Sequence, residues 1–145
     1  VMKESCKTAY SFVRANSEAF GINPDFYKDK DIHIHFPEAA IPKDGPSAGL
    51  AITSVLVSVL SGRPVRQDIA MTGEISLRGR VMAIGGLKEK TMAALRSGIV
   101  NIIVPEENRG NINDIDPLVR EKLSFTYASG VMDVIDTILL KNEQN

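Results

Sequence analysis

The spacing of apolar residues divides the chain into alternating helical and extended segments. Met2, Cys6, Ala9 and Val13 recur at helical spacing, which predicts a helix over residues 2–20 with Gly21 as its stop. Residues 21–30, with Pro24 and alternating charges, read as a connector. From 31 to 36 the period changes to two. Ile32, Ile34 and Phe36 take one face and His33 and His35 the other, the pattern of a strand. Residues 47–61 are mostly apolar and end at Gly62, a helix terminator. A helix this apolar is expected to be central and covered on most sides.

Residues 69–75 read as one strand, with Thr72 and Glu74 on one face and Met71 and Ile75 on the other. A tight connection over 76–80, containing Gly79, leads to a return strand at 81–84. A helix is expected over 87–96, between Gly85-Gly86 and Gly98. Residues 99–104 are almost continuously apolar, as in a strand buried on both faces. Residues 105–117 are polar and irregular, 118–123 suit a helical turn, 125–128 an edge strand and 131–140 an amphipathic helix. The polar tail after Lys141 is expected to fray. Helices and strands alternate through the second half, so the expected class is α/β or α+β, a mixed α/β arrangement in either case.

Composition changes little in this picture. A length of 145 residues suits one domain over 1–145. Such a chain can bury about 70% of its unfolded surface. With 17 basic and 18 acidic residues the net charge is −1, which offers no bulk attraction for nucleic acid or membrane. The single cysteine, Cys6, excludes an intrachain disulfide and reads as a small buried apolar residue rather than a nucleophile. No apolar run reaches the roughly 18 residues of a membrane span, and no signal peptide is visible. Because Val1 opens the chain inside an amphipathic pattern, the sequence is read as a piece of a longer protein.

The candidate chemistry centres on Pro42-Lys43-Asp44-Gly45-Pro46-Ser47-Ala48-Gly49. Prolines and glycines stiffen and bend this loop, and Ser47 stands where a helix is expected to begin. Backbone N–H groups there lack helical partners, and the helix dipole favours negative charge. Such a place suits a nucleophile whose product is an oxyanion, or a bound phosphate. A serine hydroxyl needs a base. His33 and His35 lie upstream, but no G-x-S-x-G elbow is present. The same two histidines begin a metal site only if other residue types complete it, since the chain has no further histidine. Lysine is the other base. Its reference pKa is about 10.4 and must fall to roughly 7–8, by desolvation or nearby positive potential. Lys88 and Lys90 both stand at the start of a helix, flanking the stripe through Leu87, Ala94 and Leu95, and a helical wheel does not separate them. Thr72 is placed to accept a hydrogen bond from such a lysine.

PKDGPSAG at 42–49, MTGEISLRG at 71–79 and IGGLKEK at 84–90 together resemble the proteolytic domain of the Lon proteases, in the family's order and spacing. DIHIHFPE at 31–38 resembles the segment that leads into that family's serine loop, and the likeness runs from Met2 to about Leu140. It implies the Lon proteolytic-domain fold, similar to domain 2 of ribosomal protein S5. It also implies a serine endopeptidase with a Ser–Lys dyad, Ser47 as nucleophile and Lys90 as base. Thr72 would orient the lysine, and Asp44 would line or block the site. Glu74, His33 and His35 match positions around it. Backbone N–H groups of Ser47 and of residues 42–45 would hold the oxyanion. Ala39-Ala40-Ile41 departs from the family, which commonly has a glycine after the Pro-Glu, but removes no catalytic group.

The resemblance implies further that substrates are unfolded, damaged or regulatory proteins and that the full-length enzyme is a homohexamer. ATP and magnesium would serve an ATPase module outside this chain, which has no G-x-x-x-x-G-K-[ST] motif. No cofactor, metal, membrane or nucleic-acid partner is expected of the domain itself. The expected location is the bacterial cytoplasm, or alternatively the mitochondrial matrix. Two rival readings use the same residues. One is a phosphate-binding or phosphotransferase domain, which has no need of GGLKEK. The other is a non-catalytic Lon-like assembly domain, which has no need of Ser47, Thr72 and Lys90 together.

Overall fold

A computed structural model describes residues 2–35 and 48–141 of the chain. In order, its elements are α1 (Met2–Ala15), a 3-10 turn (Ser17–Phe20), α2 (Phe26–Asp29), α3 (Gly49–Ser61), β1 (Ile69–Met71), β2 (Glu74–Ile75), β3 (Val81–Met82), α4 (Leu87–Arg96), β4 (Asn101–Pro105), a 3-10 stretch (Glu106–Asp114), α5 (Pro117–Lys122), β5 (Ser124–Ala128) and α6 (Val131–Ile138). This is a mixed helix-and-strand fold, as the sequence pattern predicts.

The frame is a three-stranded parallel sheet in the order β1-β4-β5. Parallel neighbours need crossovers. The crossover from β1 to β4 contains α4, and that from β4 to β5 contains α5. Side chains of β4 alternate between two cores. Ile103 joins Phe12, Leu50, Val57 and Ile135 on the face covered by α1, α3 and α6. Ile102 and Val104 join Leu87, Ala94, Ile112 and Ile115 on the other face. Burial on both faces explains why this strand reads as an unbroken apolar run.

Several boundaries differ from expectation, each for a local reason. The first helix stops at Ala15, where Asn16 folds its side-chain amide back to the Phe12 carbonyl at 2.9 Å. The chain then tightens into the 3-10 turn, which buries Phe20 edge-on against Phe12, and closes at Gly21. The expected connector contains α2, held by the buried ring of Phe26, edge-on to Tyr10. Residues 31–35 pair with no strand among the described residues. Their alternation survives because Ile32 and Ile34 pack on the first core while His33 and His35 face solvent; Phe36 lies outside the described residues. The polar 105–117 stretch is mostly 3-10 helix. The final helix ends at Ile138 because residues 63–66 grip the chain from there to Leu140. The Arg63 guanidinium donates to the Leu139 and Leu140 carbonyls, Arg66 N–H to the Ile138 carbonyl and Leu140 N–H to the Pro64 carbonyl.

The apolar helix α3 begins at Gly49 rather than 47 and is covered less than expected. Leu50, Ile52, Leu56 and Val57 are buried, but Val55 is 53% and Val59 73% exposed. The fold lays its helices against a sheet, so each helix has one inward side. The buried hydroxyls of Thr53 and Ser54 donate to the Gly49 and Leu50 carbonyls, so neither is unsatisfied. No described helix is long and apolar enough to cross a membrane.

Gly79 closes the turn before β3 at φ +85, and a Cβ there would fall 2.2 Å from the Phe12 ring. Gly98 has a similar φ of +80 with open space around it. Gly79→Ala is expected to destabilise the fold by about 2–4 kcal/mol, joining backbone strain to overpacking. Gly98→Ala should carry only the backbone part, about 1–2 kcal/mol. Urea unfolding of both variants checks the difference, and equal losses would remove the Phe12 contact as its cause.

Candidate active site

The site forms where the run over 69–75 breaks. Thr72 N–H still donates to the Ile103 carbonyl at 3.0 Å, continuing the parallel ladder one step past β1. Gly73 then turns the chain out of the sheet at φ +155, in a place so close that a Cβ would come 2.8 Å from Val81 Cγ1. Glu74 and Ile75 pair instead with Met82 and Val81, so the predicted single strand is two strands in two sheets.

This break receives two helix starts. On one side comes α3: its Leu50 N–H, a donor with no partner inside the helix, gives its hydrogen to the Gly73 carbonyl at 2.9 Å. Gly49 presses so closely on Glu74 that a Cβ would lie 1.9 Å from Oε1. On the other side comes α4, seated by Leu87, Thr91 and Ala94, which are buried at helical spacing. That seating turns half-buried Lys90 toward the break. Its Nζ lies 3.4 Å from Thr72 Oγ1, at the long end of hydrogen bonding. Thr72 itself is 4% exposed. Lys88 is exposed and lines a different groove with Met92, Asn113 and Asp116. The two lysines that the wheel left equivalent are therefore distinct in space, and only Lys90 reaches Thr72.

Glu74 takes no part in that pair. It is 8% exposed; its Oε2 accepts from Ser5 Oγ at 2.5 Å and its Oε1 from Ile75 N–H at 3.0 Å. Burial, and secondarily the negative Glu74, push the half-buried Cys6 thiol above its usual range, which disfavours the thiolate a nucleophile needs. His33 and His35 are both exposed. His35 lines an apolar groove of about 220 Å³ with Ile34, Ala48, Ile52 and Val55. Among the described residues no three His, Cys, Asp or Glu side chains gather as a metal would require. Ser47, Asp44 and the rest of residues 42–45 lie outside the described residues.

Ser5 and Gly49 escaped the sequence reading. Ser5 looks like any polar residue on an amphipathic helix, and nothing but its buried contact marks it. Gly49 sits inside the PKDGPSAG string, yet only the approach of Glu74 explains why a side chain is excluded there.

Comparison with known proteins places this geometry in a family. Residues 1–141 match the family model of the Lon protease (S16) C-terminal proteolytic domain. The Lon protease of Finegoldia magna is 56% identical over 140 residues, 97% of this chain but 18% of the relative. That of Clostridium acetobutylicum is 52% identical over 145 residues, 100% of this chain and 19% of the relative. Lon protease 1 of Bacillus subtilis is 52% identical over 140 residues, 97% of this chain and 18% of the relative. The chain therefore spans less than a fifth of the length of these relatives. With its three motifs in order, its parallel sheet and a family match from end to end of the described residues, the chain belongs to the Lon protease C-terminal proteolytic domain family.

Proposed function

We propose that residues 1–145 form one proteolytic domain that hydrolyses peptide bonds with Ser47 and Lys90. The observation that carries this reading is the approach of Lys90 Nζ to Thr72 Oγ1 beside the start of α3. Ser47 is joined to Ala48, the residue that precedes that helix. The same strand break that receives the lysine thus anchors the helix into which the serine loop leads.

In this reading Lys90, as the neutral amine, takes the Ser47 hydroxyl proton. The hydroxyl oxygen attacks the substrate carbonyl, and backbone N–H groups of the serine loop stabilise the oxyanion. The ammonium returns its proton to the leaving amine, the peptide bond breaks and an acyl-enzyme remains. Water then hydrolyses the ester, with Lys90 again as base. Thr72 Oγ1 holds the lysine nitrogen toward the serine. Asp44 is assigned the family's role of lining or blocking the site, and the exposed His33 and His35 a place around it. The apolar groove between His35 and α3 suits an apolar side chain of an extended peptide. No metal or cofactor enters these steps.

For the longer protein, the proposal extends to ATP-driven degradation of unfolded, damaged or regulatory proteins by a homohexamer. ATP and magnesium are assigned to a separate module. Neither membrane nor nucleic acid is assigned to this domain as a partner. The bacterial cytoplasm is the proposed location, with the mitochondrial matrix as the alternative.

Hydrolysis of an unstructured fluorogenic peptide tests the residue roles. Ser47→Ala and Lys90→Met are each expected to lower turnover about 10³-fold or more while leaving circular dichroism unchanged. Lys88→Met should remain near wild type; the reverse order of the two lysines would overturn the choice of base. Thr72→Ala is expected to cost roughly tenfold and to displace the basic limb of the pH–activity profile. A profile identical to wild type would remove Thr72 from the mechanism.

A further inference from the structure

Glu74 is a buried carboxylate that the proposed catalytic steps do not use. Its surroundings are specific. Ser5 Oγ, on α1 and 3% exposed, donates to Oε2, and Ile75 N–H donates to Oε1. Oε1 also lies against Gly49, in the first turn of α3, where even a methyl group would not fit. The preceding residue, Gly73, accepts the Leu50 N–H of that same turn. One residue earlier, Thr72 meets Lys90. Three consecutive residues thus touch α4, α3 and α1 in turn, and it is the carboxylate that ties in α1.

A carboxylate against the first turn of a helix is also electrostatically favoured, because the unpartnered N–H groups there carry partial positive charge. Removing the Ser5 hydroxyl would leave a buried oxygen with one donor fewer, and burial makes such a loss costly. The side chain then has reason to rotate, and the surface against which Gly49 is set rotates with it.

We infer that Glu74 is a positioning residue: braced by Ser5 from α1, it sets the first turn of α3, and with it the exit of the serine loop, relative to the Thr72–Lys90 pair. This rests on the proposed roles of Ser47 and Lys90. It adds a residue pair, Ser5 and Glu74, that touches neither the substrate nor the reacting atoms. Its effect falls on alignment rather than on binding, so it acts on kcat and spares KM.

The test compares Ser5→Ala and Glu74→Gln with wild type, by peptide hydrolysis and by amide hydrogen exchange. Ser5→Ala is expected to lower kcat about tenfold with KM unchanged, since small misplacements of reacting groups carry losses of that size or more. Exchange at the Leu50 amide should quicken about tenfold, while Ile103 and Val104 in the central strand stay at wild-type rates. Glu74→Gln preserves the shape, an acceptor for Ile75 N–H and a donor for Ser5 Oγ, so it should keep kcat within about threefold. Wild-type kcat and wild-type Leu50 exchange in Ser5→Ala would overturn the brace. So would a uniform quickening of all core amides, which marks simple destabilisation. A wild-type chain that hydrolyses nothing, with Leu50 exchange still quickened in Ser5→Ala, supports the brace and counts against the roles of Ser47 and Lys90 instead.

Discussion

The hydrogen bond from Leu50 N–H to the Gly73 carbonyl is the contact on which the rest of the site depends. It joins the start of the most apolar helix to the point where a strand leaves the parallel sheet. Both groups need it. The amide has no partner within its own helix, and the carbonyl has left one ladder and not entered the next. Glycine at 73 permits the turn, and glycine at 49 permits the approach. Replace either and α3 is held off from the strand. The first turn of α3 would then lie at a different distance from Thr72 and Lys90.

Around that contact the two cores have different tasks. The larger one gathers α1, α3 and α6 on one face of the sheet and fixes where α3 starts. The smaller one seats α4 on the other face and fixes which way Lys90 points. The starts of α3 and α4 therefore approach the strand break from opposite faces of the sheet. Lys90 is half-buried without being sealed off, which suits the base proposed for it.

Much of this was legible in the residue pattern, for reasons that differ by element. The stops at Gly62 and Gly98 were readable because a left-handed cap leaves a glycine behind, whereas Gly21 closes the 3-10 turn and not α1, which ends at Ala15. The central strand was readable because burial on both faces writes an unbroken apolar run. The break at Gly73 was not, because alternation continues through Thr72, Gly73 and Glu74 as if one strand held them all. Only the tertiary contact with Leu50 divides them. The choice between Lys88 and Lys90 was likewise hidden from a helical wheel: both flank the apolar stripe, and the side on which Thr72 lies is a property of the packed sheet. The openness of α3 at Val55 and Val59 was hidden for the opposite reason, since composition alone does not say how many neighbours a helix will have. The loop carrying Ser47 and Asp44 was conspicuous in sequence but lies outside the described residues, so its assignment rests on motif and family.

The pairing of Ser47 with Lys90 is tested most directly by covalent capture. The chain would be incubated with a peptide fluorophosphonate that labels activated serines, and the adduct located by mass spectrometry of the digested protein. One adduct is expected, on Ser47, and its rate of formation should collapse in Lys90→Met while the fold persists. Labelling of another serine, or of Ser47 at an undiminished rate without Lys90, would contradict the pairing.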